Sequence, residues 1–230
     1  MLTQIQKNST VTVKLFTGRM KTDIPKPTLD RLVSLARLLN QLEKDVSVVS
    51  SAELEKFTGW SRDTIRRDIS LLGANCSTAS GYKISELKAT IHKYIGSPDE
   101  TIKCCIVGLG RMGEALMEYS GFANTAFKLV AGFDSNVNRT ETLRSPFPLY
   151  TTTQMESVIK TERIEFAILT VPEQSAQAVA EKLVEYGITG IVNFTTAILS
   201  LPETIKIENI SVLDALQKLA AQYSVLGSKK

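Results

Sequence analysis

The sequence predicts an α/β domain preceded by a small helical domain, and three observations support this fold class. An apolar run over residues 102–107 leads directly into the glycine pattern G-x-G-x-x-G at residues 108–113. A second apolar run, over residues 129–133, ends at Asp134, which lies 21 residues past the last of these glycines. Helical periodicity and a polar turn occupy residues 24–96, ahead of both runs.

Composition and charge are those of a globular protein in which only one part suits a polyanionic partner. The chain has 230 residues, of which 43% are hydrophobic and 22% are charged. Residues 1–98 carry a net charge of +6, whereas residues 99–230 carry −3. Apolar runs fall short of the roughly 20 residues that cross a bilayer, and the first residues are too polar for a signal peptide. We therefore expect a cytoplasmic protein without membrane contact.

Cysteine and histidine usage gives no pattern that is typical of a metal site. Cys76, Cys104 and Cys105 lack metal-ligand spacing, and the last two are adjacent in a predicted core strand. The single histidine, His92, is expected on a solvated helix face. We therefore predict no bound metal and interpret the cysteines as small buried hydrophobic residues.

The basic part begins with a polar segment and a helix. Residues 1–23 have no sustained period and are interpreted as an N-terminal extension. Pro25 and Pro27 indicate a helix start, with Thr28 as the candidate N-cap, and leucines follow at helical spacing to Leu42.

Two further helices and a polar hairpin complete this domain. A second helix is predicted to begin at Ser50, in a capping-box pattern, and to end at Gly59. A third runs from Ser61 to about Leu72, and after a Ser/Thr-rich turn a further helix has Ser85 as its candidate cap. This order is typical of a winged helix-turn-helix domain.

The third helix is the candidate recognition helix, because in this motif that helix enters the major groove of DNA. Ile65 and Ile69 share the inward face, Arg67 lies nearly opposite, and Arg66 lies on the flank. Arginine binds guanine in a bidentate manner and also binds phosphates. An alternative is that Asp63 pairs with Arg67 on an ordinary solvated helix. The predicted DNA-binding residues are Ser61, Arg62, Thr64, Arg66 and Arg67.

The second part reads as a dinucleotide-binding Rossmann unit, because strand, glycine turn, helix, strand and acid occur in that order. Gly108 permits the tight turn, Gly110 allows the pyrophosphate to approach, and Gly113 allows the helix to pack closely on the sheet. Asp134 is expected to accept hydrogen bonds from the ribose hydroxyls, which favours NAD(H) over NADP(H). The alternative is an ordinary glycine turn, with Asp134 capping the end of its strand.

Further strands are predicted at residues 166–172, 190–195 and 205–210, and ligand-binding loops follow the strand ends in such sheets. For Thr170 and Asn193 the alternative is a turn residue that caps its own backbone. The predicted segments are the extension 1–23, the winged-helix domain 24–96, the Rossmann domain 97–211 and a C-terminal helix 212–230.

Taken together, these residues resemble the Rex family of redox-sensing transcriptional repressors. The resemblance covers roughly residues 24–226. It rests on six stretches, namely residues 24–32, 65–70, 81–82, 119–122, 168–172 and 187–194. It implies a homodimer that exchanges its C-terminal helix and binds one NAD(H) in each Rossmann domain. It also implies that the winged-helix domains bind a palindromic operator DNA and release it when NADH binds.

The resemblance also implies roles for individual residues. Arg66 and Arg67 match the basic pair that contacts DNA, and Arg37 and Tyr119 match members of an inter-subunit polar switch. The predicted cofactor-binding residues are Gly108, Gly110, Arg111, Met112, Gly113, Asp134, Thr170, Val171, Pro172, Asn193, Phe194 and Thr195.

The chain departs from the family pattern at the switch. Ser211 stands where the family has an aspartate, and Val212 stands where it has an aromatic residue. A serine cannot form the ion pair with Arg37. The resemblance therefore implies DNA binding and dinucleotide binding more directly than it implies the switch that links them.

Two other functions are compatible with parts of the pattern. One is an NAD-dependent oxidoreductase with an appended helical domain, although the sequence shows no acid–base set near the nicotinamide end. The other is a DNA-binding dimer whose Rossmann domain serves only assembly. We expect no enzymatic activity.

Overall fold

The structure is a computed structural model that describes residues 24–73, 77–78, 81–96, 101–123 and 125–227. The chain divides into two compact units, Met1–Ser97 and Pro98–Lys230. The predicted extension 1–23 and Cys76 lie outside the described residues.

The first unit has the winged helix-turn-helix fold that the sequence predicts. Its elements are α1 (Lys26–Leu42), β1 (Val48–Val49), α2 (Ser51–Thr58), α3 (Arg62–Leu71), β2 (Ser77–Thr78), β3 (Gly81–Lys83) and α4 (Ile84–Ile95). The three short strands form an antiparallel sheet in the order β1-β3-β2. Leu32, Leu54, Ile65, Ile84 and Ile91 lie in the core at 1% exposure or less. The helical periodicity of the leucines and isoleucines therefore determines which helix faces are buried.

Local capping signals place two of the helix starts correctly. The capping box is present at Ser50, and Gly59 ends α2 in the left-handed region at φ +73°. The Ser61 side chain accepts a hydrogen bond from the backbone N–H of Thr64 and so caps α3.

Two other cap predictions are wrong. α1 begins at Lys26 after Pro25, and the hydroxyl of Thr28 is buried and donates to a side chain of α3. α4 begins at Ile84 rather than after Ser85, because the backbone N–H of Ile84 is bonded to the carbonyl of Ser47. In both cases a tertiary contact displaces the local capping signal.

The second unit has the predicted Rossmann fold. Its elements are β4 (Ile102–Val107), α5 (Arg111–Met117), β5 (Phe127–Asp134), α6 (Val137–Thr142), β6 (Leu149–Thr151), α7 (Met155–Glu162), β7 (Phe166–Leu169), α8 (Glu173–Glu185), β8 (Gly190–Asn193), β9 (Lys206–Asn209) and α9 (Val212–Gly227). The parallel sheet has the order β6-β5-β4-β7-β8-β9. β4, β5 and β7 are therefore neighbours, and the loops after them meet at one edge of the sheet. Among the described residues, no helix is long and apolar enough to cross a membrane.

Candidate functional site

The glycine loop after β4 is tightly packed against its neighbours. Gly108 adopts φ +98°, and a Cβ there would lie within 2.9 Å of the backbone of Thr170 and Val171. A Cβ on Gly113 would lie 2.0 Å from the carbonyl oxygen of Gly108, so α5 can pack on the loop only through a glycine. A Cβ added to Gly110 would have the Nη1 atom of Arg139 as its nearest neighbour, at 3.7 Å, so the space beside this glycine is open.

A cavity of about 840 Å³ lies beside this loop, where β4, β5 and β7 end. Its volume is within the range of small-molecule and cofactor sites. Six of the predicted cofactor-binding residues line it, namely Gly108, Gly110, Asp134, Thr170, Val171 and Pro172. The other six, Arg111, Met112, Gly113, Asn193, Phe194 and Thr195, do not line it. The shape of the loop and the size of the cavity fit an adenine dinucleotide.

Asp134 is buried, and its carboxylate holds the loop together. Oδ2 accepts a hydrogen bond from the backbone N–H of Leu109, and Oδ1 accepts one from that of Asn136, both at 2.7 Å. Asp134 therefore caps the end of its strand, which is the alternative role that the sequence predicted for it. Each oxygen retains a second lone pair, so this role is compatible with a further bond to a ribose hydroxyl.

Arg139, on α6, is a cavity residue that sequence reasoning missed. Its Nη1 atom lies 3.5 Å from Oδ2 of Asp134, and its side chain is 50% exposed. Further along, the cavity is lined by Lys182 of α8, by Tyr186 directly after that helix and by Glu156 of α7. These residues come from separate helices, and only the folded arrangement brings them to one cavity.

Thr170 and Asn193 both support loops at the ends of their strands. The Thr170 hydroxyl donates to the carbonyl of Gly108 at 2.6 Å while the residue also lines the cavity. Asn193 is 1% exposed, and its side chain donates to Ala197 and Asn209 and accepts from Thr195. Its amide therefore fixes the course of the loop after β8.

The arginines of the recognition helix α3 differ in their ion-pair partners. Arg62 is paired with Glu55 of α2 at 2.7 Å, and Arg66 lies 3.9 Å from Asp63. Arg67 is exposed, and its side chain makes no ion pair or hydrogen bond with the described residues. The alternative pairing of Asp63 with Arg67 is therefore wrong, because Asp63 lies nearer to Arg66. The predicted residues Ser61 and Thr64 are hydrogen-bonded to each other at 2.9 Å, at the start of the helix.

A buried polar cluster connects α3 to α1. Asp68 is 4% exposed, and the guanidinium of Arg31 donates to its two oxygens at 2.5 and 2.8 Å. The Thr28 hydroxyl adds a third bond to Asp68 at 3.1 Å. The hydrogen bond to Asp68 raises the pKa of Arg31. The available sequence signal that Asp68 is buried was its spacing of three residues from the inward-facing Ile65.

The predicted switch residues lie on exposed surfaces. Arg37 is exposed on α1, and Tyr119 is 59% exposed with its ring edge-on to Phe122 at 5.7 Å between centroids. The Ser211 hydroxyl accepts from the backbone N–H of Asp214, so this serine caps α9.

The cysteines of β4 are unsuited to chemistry. Cys104 and Cys105 are 5% and 0% exposed, and burial raises the pKa of Cys104 to about 12. No group of potential metal ligands occurs within the described ranges.

Two known protein families match this chain, one in each of its compact units. Residues 99–197 match the family described as "CoA binding domain", and residues 23–70 match the one described as "Putative DNA-binding protein N-terminus".

Curated relatives match most of the chain. This chain is 36% identical over 199 residues to the protein named redox-sensing transcriptional repressor Rex from Exiguobacterium sibiricum, and the match covers 86% of this chain and 90% of that protein. The protein of the same name from Lactiplantibacillus plantarum is 34% identical over 200 residues, covering 86% and 88%. Both relatives are named as transcriptional repressors, which are regulators rather than enzymes, as the sequence predicts.

Solved structures agree with these relatives. The chain matches the crystal structure of RSP, a Rex-family repressor, with a TM-score of 0.80, 30% identity and coverage of 91% of this chain and all of that one. RSP has also been solved with β-NAD+ and operator DNA, and with β-NADH, and these structures match at TM-scores of 0.80 and 0.81, both with 28% identity and the same coverage.

Proposed function

The chain belongs to the Rex family of redox-sensing transcriptional repressors, and we propose that it represses transcription in response to NAD(H). In this proposal it binds operator DNA as a homodimer in the cytoplasm and releases the DNA when NADH binds. The observation that carries the proposal is the presence of two sites in one chain. One is a glycine-lined cavity at the end of a parallel sheet, and the other is an arginine-bearing recognition helix.

The cofactor would be held by the glycine loop and by the ends of two strands. Gly110 leaves space for the pyrophosphate at the start of α5, Asp134 lies at the ribose position, and Thr170 to Pro172 form the opposite wall. The difference between oxidised and reduced nicotinamide supplies the redox signal. In this proposal Asn193, Phe194 and Thr195 shape the loop at the nicotinamide end, and Arg111, Met112 and Gly113 form the helix start at the pyrophosphate.

Operator DNA would be contacted by the exposed face of α3. Arg67 and Arg66 are exposed and point away from the core residues Ile65 and Ile69, as a groove-reading face requires. Ser61, Arg62 and Thr64 lie at the start of the helix, where backbone phosphates are commonly bound. RSP, a Rex-family repressor of similar fold, has been solved with operator DNA, which supports DNA as the partner of this unit.

A homodimer is supported by the apolar surface of α9. Val212, Leu213, Leu216, Leu219 and Tyr223 are each more than half exposed, a large apolar area for a single chain to leave in water. Exchange of α9 with a second copy would bury this surface. Arg37 and Tyr119 would then contribute to the contact between subunits, and Ser211 caps the exchanged helix in place of the family's acid.

Repression would respond to NADH through differential binding. A ligand shifts an equilibrium between two states only by the difference in its affinity for them, and the coupling between two ligands is reciprocal. DNA and NADH must therefore favour different arrangements of the dimer.

The proposal is tested with an operator duplex selected from a random-sequence pool and followed by fluorescence anisotropy. We expect two chains to bind each duplex and NADH to weaken binding more than NAD+. Arg67→Ala removes a base or phosphate contact, so we expect about a tenfold loss of DNA affinity or more, with NADH affinity unchanged. Asp134→Ala should do the reverse. Equal loss of both activities in each variant would contradict the assignment of the two sites.

A further inference from the structure

We infer that Asp63 determines part of the base specificity of the recognition helix, by accepting a hydrogen bond from the N4 amino group of a cytosine in the operator. The inference rests on the proposed function, since it concerns which bases the exposed face of α3 contacts. Asp63 is the second residue of α3, and its side chain is 90% exposed. In helix-turn-helix proteins the N-terminal residues of the recognition helix contact the edges of the bases.

Asp63 lies near the centre of the exposed face of α3. Ile65 and Ile69 are buried on one side of the helix. With about 3.6 residues per turn, Asp63 and Arg67 fall on the opposite side, and both are exposed. The two are one turn apart, about 6 Å along the helix axis, whereas successive bases of a strand are about 3.4 Å apart. A helix that places Arg67 in the groove therefore brings Asp63 to a neighbouring base pair.

The carboxylate of Asp63 is accessible to a hydrogen-bond donor of the DNA. Within the part of the chain that the structure describes, its ion-pair partner is Arg66, whose Nη1 atom lies 3.9 Å from Oδ1. This distance is too long for a hydrogen bond, so the carboxylate oxygens keep their lone pairs for another donor. DNA phosphates repel a carboxylate, and the positive charges of Arg66 and Arg67 beside Asp63 offset that repulsion.

Cytosine is the base whose major-groove edge suits a carboxylate best. It presents the N4 amino donor, which aspartate accepts, whereas guanine presents only the acceptors N7 and O6. Thymine presents an acceptor and a methyl group, and adenine places its N7 acceptor beside its N6 donor. Asparagine, which has nearly the same shape as aspartate, binds adenine through N6 and N7. Replacing Asp63 by asparagine should therefore exchange a preference for cytosine for a preference for adenine.

The test selects operators from a random-sequence pool with the full chain and with the variants Asp63→Asn and Asp63→Ala. We expect the unaltered chain to select cytosine at one position in each half-site, Asp63→Asn to select adenine there and Asp63→Ala to select no base there. Fluorescence anisotropy with duplexes that differ only at this position should show about a tenfold preference for cytosine in the unaltered chain. The preferences at all other positions should stay the same.

Asp45→Asn is the matched control, since Asp45 is an exposed acid of the same unit that lies between α1 and β1. This variant loses the same charge and should select the same bases as the unaltered chain. A change of base preference in Asp45→Asn at the position assigned to Asp63 would show an effect of net charge and would overturn the inference.

The other outcomes separate this inference from the proposed function. Selection of the same bases by the unaltered chain and both Asp63 variants overturns the inference and leaves the proposed function standing. Asp63 would then act only as a first-turn acid that complements the dipole of α3. Loss of a preference for a base other than cytosine also overturns it. Failure of the unaltered chain to enrich any duplex contradicts the proposed function itself.

Discussion

Each unit of the chain contains a buried aspartate at its functional element. The carboxylate of one is bound by side chains, and the carboxylate of the other is hydrogen-bonded by backbone amides. Asp68 lies in the recognition helix at 4% exposure, and Asp134 lies at the end of β5 at 6%. The partners of Asp68 are side chains of Thr28 and Arg31, 40 and 37 residues away along the chain. The bonded partners of Asp134 are the backbone amides of Leu109 and Asn136.

This difference separates two ways of positioning a site. The backbone amides that bind Asp134 belong to the glycine motif and to the turn after β5, so the contact is a property of the motif itself. The partners of Asp68 depend on how α1 packs against α3. The recognition helix is therefore positioned by its apolar core face together with a tertiary polar cluster, whereas the cofactor loop is fixed by main-chain geometry.

The largest effect is expected from Asp68→Asn. The amide would direct N–H groups at the guanidinium of Arg31 and would leave that partly buried cation without its acid. We expect the free energy of unfolding of the winged-helix unit to fall by about 2–3 kcal/mol, with weaker operator binding and unchanged NADH affinity. Trp60 is the chain's single tryptophan and packs against the core of this unit, so its fluorescence during urea denaturation reports the change.

Asp63→Asn is the control for this variant, because Asp63 is on the same helix and its side chain is 90% exposed. Its effect on stability should be within about 0.5 kcal/mol. A similar loss of unfolding free energy in both variants would show that the buried ion pair stabilises the unit no more than an exposed acid does.

A smaller loss is expected from Asp134→Asn. The amide retains one carbonyl acceptor, and Arg139, being half exposed, is rehydrated when its acid is removed. We expect β4 and the glycine loop to lose about 1–2 kcal/mol of opening free energy, measured by hydrogen exchange of the peptide that spans residues 102–117. A loss larger than that of Asp68→Asn in its own unit would reverse the comparison.

The smallest effect concerns Glu55, which holds Arg62 beside the recognition helix. Hydrogen bonding to Arg62 lowers the pKa of Glu55, so the pair is present at neutral pH and is lost only as the pH falls through that lowered value. Glu55→Gln releases Arg62 from its ion pair and removes a negative charge beside a residue that is proposed to contact DNA phosphates. We expect DNA affinity at low salt to rise about two- to fivefold, as measured by anisotropy at two salt concentrations.

Glu43→Gln is the corresponding control, since Glu43 is also paired with a lysine of the same unit, Lys88. If it raises DNA affinity as much as Glu55→Gln does, the effect is one of net charge and Arg62 is not a specific contact.

The sequence predicted those parts of the site that depend on nearby residues. The G-x-G-x-x-G pattern, the apolar run before it and Asp134 are a local unit, and Gly108 and Gly113 are required because added Cβ atoms there would meet backbone. The capping box at Ser50 and the left-handed Gly59 were predictable for the same reason. The cap predictions for Thr28 and Ser85 are wrong, because Thr28 donates to Asp68 and the backbone N–H of Ile84, next to Ser85, donates to the carbonyl of Ser47.

What the sequence determined by itself, then, is the order of the elements, the glycine cradle and the inward face of α3, since each follows from residue type and spacing within one or two turns. Only the tertiary structure decided that Arg31 binds Asp68 and that Lys182 of α8 lines the same cavity as Asp134. Charged side chains far apart in the sequence carry no periodic signal of their partners. Those pairs are selected by the packing of helices and strands, which no short stretch of sequence specifies.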